Sequence, residues 1–269
     1  MSRGWTYFRI PGTNPGMPTE QAISEVVPPL VEHLHAADPD GRWFFQRPAA
    51  EQAFGIGFHA TEPVLDELER LIEVESTKHD LPALAQYLDG RSAEIARELS
   101  SASSEFALDL LRLADLDDAH EQLATAVRHL CCLVGLTPES DRHSFLFLSW
   151  EQAAGRLLPE QRLAVARRAE GEATPIVRDA AGTADVTEER VWQRYLATVR
   201  EITDECRTDG ELPTNYLLFE HTHLTHDRLG IPAETEALAA QVTRTALRGG
   251  DTPVDPDLMV RRPSRDVIA

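Results

Sequence analysis

The segments Arg42-Trp-Phe-Phe-Gln-Arg47 and Gln52-Ala-Phe-Gly-Ile-Gly-Phe-His59 have the aromatic and β-branched composition of two consecutive β-strands. A similar segment, Trp5–Ile10, comes earlier, and the intervening Thr19–His35 repeats its apolar positions with a helical period. After the strands, Thr61–Glu75 opens with Thr-Glu-Pro, a helix start in which threonine suits the N-cap and proline the first turn. The order βαββα predicts a small, mainly antiparallel sheet with helices on one face.

The chain from Ser92 onward is almost entirely helical in pattern. The candidate helices are Ser92–Ala114, Ala119–Val134, Asp141–Arg156, Pro159–Glu170, Thr187–Arg207, Pro213–Arg228 and Ala233–Leu247. We therefore expect the α+β class, with a large helical remainder after the sheet. A single domain is predicted over residues 1–269, made of a βαββα part (1–76), a helical part (77–248) and an irregular tail (249–269).

Composition narrows the possible partners. Asp and Glu total 45 against 26 Lys and Arg, so the formal net charge is −19. Such a surface repels phosphate backbones and anionic lipids, which argues against nucleic-acid and membrane partners. The N-terminus has no apolar signal segment, and no stretch reaches the ~18 uncharged apolar residues of a membrane span. The three cysteines, Cys131, Cys132 and Cys206, show no CxxC spacing and indicate buried thiols in a reducing cytoplasm.

Chemistry-bearing residues concentrate in the segment from Tyr216 to Gly230. Tyr216, Glu220, His223 and Asp227 follow i, i+4, i+7, i+11 spacing, so on a helix they fall within about 60° of one another. An imidazole, a phenol and two carboxylates on one stripe can donate and accept protons near neutral pH. The alternative is a solvated stripe in which His223 is a packing residue satisfied by Glu220 or Asp227.

A metal site is the other chemistry that this segment suggests, because it holds His221, His223 and His226. On a helix His221 lies roughly 160° away from His223, and only His223 and His226 share a side. Three ligands from one face are therefore not available, and we expect no metal.

The order of motifs resembles the thiopeptide-type bacteriocin biosynthesis domain. The matching segments are Trp5 to Ile10 (Trp-x-Tyr-x-x-Ile), Trp43–Arg47, Tyr87-Leu-Asp-Gly90, Ser100–Ser104, Leu130–Gly135 and His223–Gly230. This family includes the glutamate-elimination half of lantibiotic dehydratases, its stand-alone relatives and the pyridine synthases of thiopeptide pathways. The resemblance spans nearly the whole chain.

The branches differ at one strand. Elimination enzymes typically carry a segment resembling His-Leu-Arg-Leu-Arg-Phe, where this chain has Ala53-Phe-Gly-Ile-Gly-Phe58. Guanidinium groups suit a departing carboxylate in charge and in geometry, so their loss argues against elimination. With Gly55 and Gly57 in place of long side chains, we expect a roomier pocket. Two further departures are Pro48 after Arg47, where the family has Tyr, and Asp227, where it has Asn.

The resemblance implies a pyridine synthase that needs no metal or redox cofactor. Its reaction is a formal [4+2] aza-cycloaddition between two dehydroalanines of a modified precursor peptide, followed by loss of water and of the leader peptide. Two alternatives stay open: a glutamate-eliminating dehydratase partner, and a non-catalytic subunit that binds the precursor, for instance by β-augmentation. The expected partner is the precursor peptide, leader and dehydrated core, with other enzymes of the pathway as possible further partners.

The candidate residues follow from the stripe and from the resemblance. His223 matches the family's late histidine and is the main catalytic candidate; Tyr216, Glu220 and Asp227 share its face. The candidate substrate-binding residues are Trp43, Phe45, Arg47 and Tyr87. Strand alternation sends Trp43, Phe45 and Arg47 to the same side, where they could be core or groove. Arg47 could also be an ordinary surface arginine, and Tyr87 could close a core edge.

Overall fold

The computed structural model has the expected α+β class, with a small antiparallel sheet followed by helices. It describes residues 3–11, 19–47, 53–72, 77–79, 90–114, 116–182, 186–209 and 213–248. These residues form two compact units. The N-terminal unit holds the described residues up to Leu113 together with Asp227–Gly230; the C-terminal unit holds those of Ala114–His226 and those from Ile231 onward.

The N-terminal unit contains a four-stranded sheet with the strand order β2-β3-β1-β4. Its strands are β1 (Arg3–Pro11), β2 (Arg42–Gln46), β3 (Ala53–Thr61) and β4 (Thr77–His79), and every pairing is antiparallel. The three predicted strands are confirmed. β4 is a correction, since it lies within the range predicted as helical. Its three residues are too few to show a period, and it is defined by its pairing with β1, which places Tyr7 opposite His79.

Three helices accompany the sheet: α1 (Thr19–Ala37), α2 (Glu62–Leu71) and α3 (Gly90–Leu113). Both α1 and α2 pack against β3, and α3 packs against β2. The sheet is buried at Phe44, Gly55 and Gly57 on one face and more extensively on the other face, which carries the core side chains. The buried side chains of that face are Phe8, Ile10, Trp43, Phe45, Phe54, Ile56, Phe58 and Ala60.

The glycines of β3 do not open a pocket, which corrects the expectation of extra room. A Cβ atom on Gly55 would lie 1.5 Å from the Tyr7 hydroxyl oxygen. A Cβ atom on Gly57 would lie 3.0 Å from ring carbons of Phe44. The space above both glycines is therefore filled by aromatic side chains from the neighbouring strands. Burial raises the pKa of Tyr7 to about 12, against the opposing charges of Arg228 and Arg9, so its phenol is neutral.

We expect Gly55→Ala to destabilise the protein by about 1–3 kcal/mol, because the new methyl group must displace the Tyr7 ring. Gly4→Ala is the matched control, since a Cβ atom at this β1 glycine meets nothing within 4 Å. Denaturant unfolding measures both free energies. In a Tyr7→Ala background, Gly55→Ala should cost no more than Gly4→Ala, because the clashing ring is absent. Equal costs for the two glycine variants would show that Tyr7 does not occupy this space.

The free edge of β2 is closed by side chains. The Phe45 backbone N–H donates to Ser104 Oγ on α3 at 3.1 Å, and the Phe45 carbonyl accepts from Arg228 Nε at 2.7 Å. Arg228 Nη1 also donates to Ser103 Oγ at 2.8 Å, and its side chain is only 1% exposed. At Phe45 the edge therefore offers no free backbone groups to an added strand, which argues against β-augmentation there.

The C-terminal unit is helical in its described residues. Its helices are α4 (Ala119–Leu136), α5 (Arg142–Ala154), α6 (Pro159–Ala180), α7 (Val186–Asp209), α8 (Thr214–Arg228) and α9 (Ala233–Arg248), with a 3₁₀ turn at Glu139–Asp141. The last two residues of α8, Asp227 and Arg228, belong to the N-terminal unit. None of the described helices combines the length and the apolar character that a membrane crossing needs.

The largest correction concerns α6, which was predicted to end at Glu170 because Gly171 and Pro175 follow. The helix continues to Ala180 because its buried positions repeat at intervals of three or four residues through Gly171 and Pro175. These positions are Val165, Ala169, Ala173, Val177 and Ala180. They give α6 a continuous apolar face, and α6 packs against α9. Burial of this face outweighs the local preference of Gly171 and Pro175 against a helix.

The packing of the C-terminal unit converges on α9, which contacts α4, α5 and α6. Most of its buried side chains are small, which lets the neighbouring helices approach closely. They are Ala237, Ala239, Ala240, Val242, Thr243 and Ala246, together with Leu238 and one carboxylate, Glu236.

Candidate functional site

Helix α8 has one face with access to solvent and an opposite face that is buried. Tyr216 is 50% exposed, and Glu220, His223 and Asp227 are partly exposed, so the predicted stripe has access to solvent. Burial raises the pKa of Glu220, against the opposing charge of His223. The opposite face is fully buried and comprises His221, Thr222, Thr225 and His226.

The stripe meets a buried carboxylate on the next helix. Glu236 lies in the first turn of α9 and is 3% exposed. Its oxygens are 2.6 Å from Arg156 Nη2, 3.2 Å from His223 Nδ1 and 3.3 Å from His226 Nδ1. Burial by itself would raise the pKa of Glu236, but the hydrogen bonds from His223 and His226 outweigh it and lower the pKa to about 2. Glu236 is therefore ionised and accepts from its neighbours.

The hydrogen-bonded chain continues inward from His226. His226 Nε2 is 3.1 Å from His129 Nδ1, and His129 Nε2 is 3.0 Å from the Tyr195 hydroxyl oxygen. Both histidines are 0% exposed. Burial and the neighbouring His226 hold the pKa of His129 well below its usual value, although Glu236 opposes them, so His129 is neutral. We call Arg156, His223, Glu236, His226, His129 and Tyr195 the Glu236 network.

The low pKa of His129 predicts acid sensitivity. The unfolded chain binds a proton on this imidazole below pH ~6.5 and the folded chain does not, so stability falls as the pH is lowered. The slope contributed by His129 is up to about 1.4 kcal/mol per pH unit. The pKa of Glu236 is lowered from 4.5 to about 2. Its contribution to folding stability is therefore lost only as the pH falls from 4.5 to about 2.

Urea unfolding between pH 5 and pH 7 measures the slope. We expect His129→Gln, which does not titrate, to flatten it relative to the unsubstituted protein. His143→Gln, at an exposed position on α5, is the control and should leave the slope unchanged. A slope that is the same in the His129→Gln variant would show that this imidazole does not carry the acid sensitivity.

His223 lies on the solvent-accessible side of α8, but its hydrogen-bond partner was not predicted from the sequence. The expected partners were Glu220 or Asp227, one helical turn away; the observed hydrogen bond goes to Glu236 on α9. One signal was present in the sequence, since Glu236 stands among apolar and small positions of a candidate helix. No pattern within a helix could have indicated Arg156, His129 or Tyr195, because their register against α8 is set by tertiary packing.

The other predicted residues lie elsewhere. Trp43 and Phe45 are 1% and 0% exposed, so their rings belong to the core of the sheet and do not line an accessible groove in this structure. Arg47 is half-buried, directly after β2. Tyr87 lies outside the described residues.

The histidines of α8 do not form the metal site considered from sequence. His223 and His226 both direct Nδ1 at the Glu236 carboxylate, while His221 lies on the buried face. Within the described parts of the chain, no three His, Cys, Asp or Glu side chains are arranged to hold a metal ion.

The fold and this network define an α+β protein with a partly exposed histidine held by a buried carboxylate. A family model described as "Lantibiotic biosynthesis dehydratase C-term" matches residues 5–247. The chain belongs to this family.

Three solved structures share the fold. The tRNA-dependent lantibiotic dehydratase MibB from Microbispora sp. 107891 matches with a TM-score of 0.66 and 19% identity, over 92% of this chain and 28% of MibB. This chain therefore spans less than a third of that enzyme. TsrL matches with a TM-score of 0.60 and 15% identity, over 97% of this chain and 99% of TsrL. The pyridine synthase TbtD from thiomuracin biosynthesis matches with a TM-score of 0.58 and 16% identity, over 90% and 96%. Comparison with curated sequences gave no match.

Proposed function

We propose that this chain is a pyridine synthase of thiopeptide biosynthesis, which closes a macrocycle on a modified precursor peptide. The choice of branch rests on the residues of β3. The resemblance implies that elimination enzymes carry arginines on this strand, and here the matching positions are Gly55 and Gly57. The space above them is filled by Tyr7 and Phe44. A guanidinium group at position 55 would have no room beside Tyr7, so this strand suits elimination poorly.

The pyridine synthase TbtD is among the solved structures that share the fold, which agrees with this branch.

The proposed reaction requires proton transfers at defined atoms. The backbone amide next to one dehydroalanine loses its N–H proton and gains a proton on oxygen, which gives a 2-azadiene. This four-atom unit and the C=C bond of the second dehydroalanine form two new C–C bonds and a six-membered ring. The ring then loses its hydroxyl group as water and its exocyclic nitrogen as the leader carboxamide, and becomes the aromatic pyridine.

The His223–Glu236 pair can supply such proton transfers. Because the Nδ1 nitrogen of His223 contacts an ionised carboxylate, Nε2 is the nitrogen available for exchange with a substrate. General acid–base catalysis of this kind contributes about 10²–10⁴-fold to a rate. Most of the remaining acceleration comes from holding the two alkenes in contact. Glu220, whose pKa is raised by burial, lies one turn away on α8 and is suited to proton exchange with the leaving groups.

A two-substrate experiment tests the proposal. The purified protein is incubated in parallel with a fully dehydrated thiopeptide precursor and with a glutamylated, undehydrated precursor, and both are followed by mass spectrometry. We expect a macrocycle and an intact leader carboxamide from the first peptide, and no change in the second. Loss of glutamate from the second peptide, with the first unchanged, would assign the chain to elimination. Binding of either peptide without conversion would favour a non-catalytic subunit.

A further inference from the structure

Glu236 is unusual because it is a fully buried, ionised carboxylate that is shared by three donors. Arg156 Nη2 lies 2.6 Å from Oε2, while His223 Nδ1 lies 3.2 Å from Oε2 and 3.3 Å from Oε1. His226 Nδ1 lies 3.3 Å from Oε1. Arg156 supplies the positive charge that balances the carboxylate, so neither histidine has to be protonated to neutralise it.

Each donor and acceptor of the network can be assigned in turn, starting at the Glu236 carboxylate and ending at Tyr195. An ionised carboxylate only accepts, so His226 carries its proton on Nδ1 and its Nε2 accepts. His129 then donates from Nδ1 to His226, and its own Nε2 accepts from the Tyr195 hydroxyl group. In this assignment every proton of the chain has a single position. The buried part of the network is thereby fixed in one arrangement, and it in turn fixes the carboxylate of Glu236.

One contact competes with this assignment for His223. Arg156 Nη2 also lies 3.4 Å from His223 Nδ1, and a guanidinium group can only donate. If that contact were the hydrogen bond, Nδ1 would accept and the proton would lie on Nε2. The carboxylate oxygen is nearer to Nδ1 and is charged, and Arg156 already makes its short bond to the same carboxylate. The arrangement with the proton on Nδ1 is therefore favoured.

We propose that Glu236 is a positioning residue that keeps His223 in the Nδ1–H tautomer, with Nε2 directed away from the carboxylate. Arg156 and the buried hydrogen-bonded chain of His226, His129 and Tyr195 hold Glu236 in place. A catalytic role for this tautomer rests on the proposed function. The tautomer itself follows from the contacts of His223 and does not depend on that function. Ionisable groups that act on the imidazole include Arg156 from α5, Glu236 from α9 and Glu220 from α8 itself, and His226 shares the Glu236 carboxylate with it.

Nitrogen-15 NMR of the full chain with labelled histidine tests the tautomer without any substrate. We expect the His223 ring, assigned by the loss of its signals in His223→Gln, to show the proton on Nδ1. Glu236→Gln should convert it to a mixture of tautomers. Glu234→Gln, an exposed carboxylate in the same turn of α9, should leave the pattern unchanged. A wild-type signal from the Nε2–H tautomer, or an identical pattern in Glu236→Gln, would overturn the proposal.

Turnover of a dehydrated precursor supplies the second measurement. Glu236→Gln is expected to lower kcat between about tenfold and a thousandfold with KM within about threefold, as for other carboxylates that orient a catalytic histidine. Glu236→Asp, which retains the charge, should recover part of the loss. An inactive wild-type protein that still shows the Nδ1–H tautomer would count against the pyridine synthase and leave the positioning role in place. An active protein whose kcat is unaffected by Glu236→Gln would overturn the positioning role alone.

Discussion

Replacing Arg228 with methionine is expected to destabilise the protein by about 2–5 kcal/mol. The side chain is 1% exposed and donates to the Phe45 carbonyl and to Ser103 Oγ. Methionine fills a similar volume but donates no hydrogen bond, so it leaves buried acceptors at the edge of β2 without their partner. The expected loss is large relative to the 5–15 kcal/mol by which a typical domain is stable.

Denaturant unfolding of the variant, compared with a surface control, decides this prediction. Arg42→Met removes an exposed pair with Glu98 and should cost less than about 1 kcal/mol. Arg228→Lys should fall between the two, because one ammonium group cannot reproduce the two-nitrogen contact of the guanidinium. If Arg228→Met were no more destabilising than Arg42→Met, the closure of the β2 edge by Arg228 would not stabilise the fold.

The second large effect is expected at His223. His223→Ala should lower turnover of a dehydrated precursor by about 10²–10⁴-fold, because the proposed function assigns proton exchange with the substrate to this imidazole. Binding of the precursor should stay within a few fold, since most of the peptide contacts other residues. His143→Ala, at an exposed position on α5, is the control and should be fully active.

Turnover of His223→Ala and binding of the precursor are measured separately, by product formation under saturating peptide and by equilibrium titration. Unchanged turnover would remove the catalytic assignment of His223. A loss of binding that matched the loss of turnover would instead make His223 a substrate-binding residue.

Most of the fold could be predicted because its signals are local. The aromatic and β-branched composition of the β1, β2 and β3 segments and the helical period after Ser92 are properties of short windows, and the structure confirms these strands and helices. The failures occur where tertiary contacts outweigh local preference. α6 passes through Gly171 and Pro175 because its apolar face is buried, and β4 exists through its pairing with β1.

The candidate site divides in the same way. The stripe with Tyr216, Glu220 and His223 could be derived from spacing within one helix, and its accessible position agrees with that derivation. The carboxylate that contacts His223 could not be derived in this way, because Glu236 approaches it only through the packing of α9 against its neighbours. The glycines of β3 show the same limit, since glycine in place of long side chains indicated free volume and only the structure shows Tyr7 above Gly55.

Closure of a pyridine ring by this chain can be followed in a time course of the purified protein with a fully dehydrated precursor. The leader carboxamide and the macrocycle are quantified together by mass spectrometry. We expect both products to appear at the same rate and in equal amounts, and both to be absent with His223→Ala. A precursor that stays intact, while a glutamylated peptide loses its glutamate, would contradict this expectation.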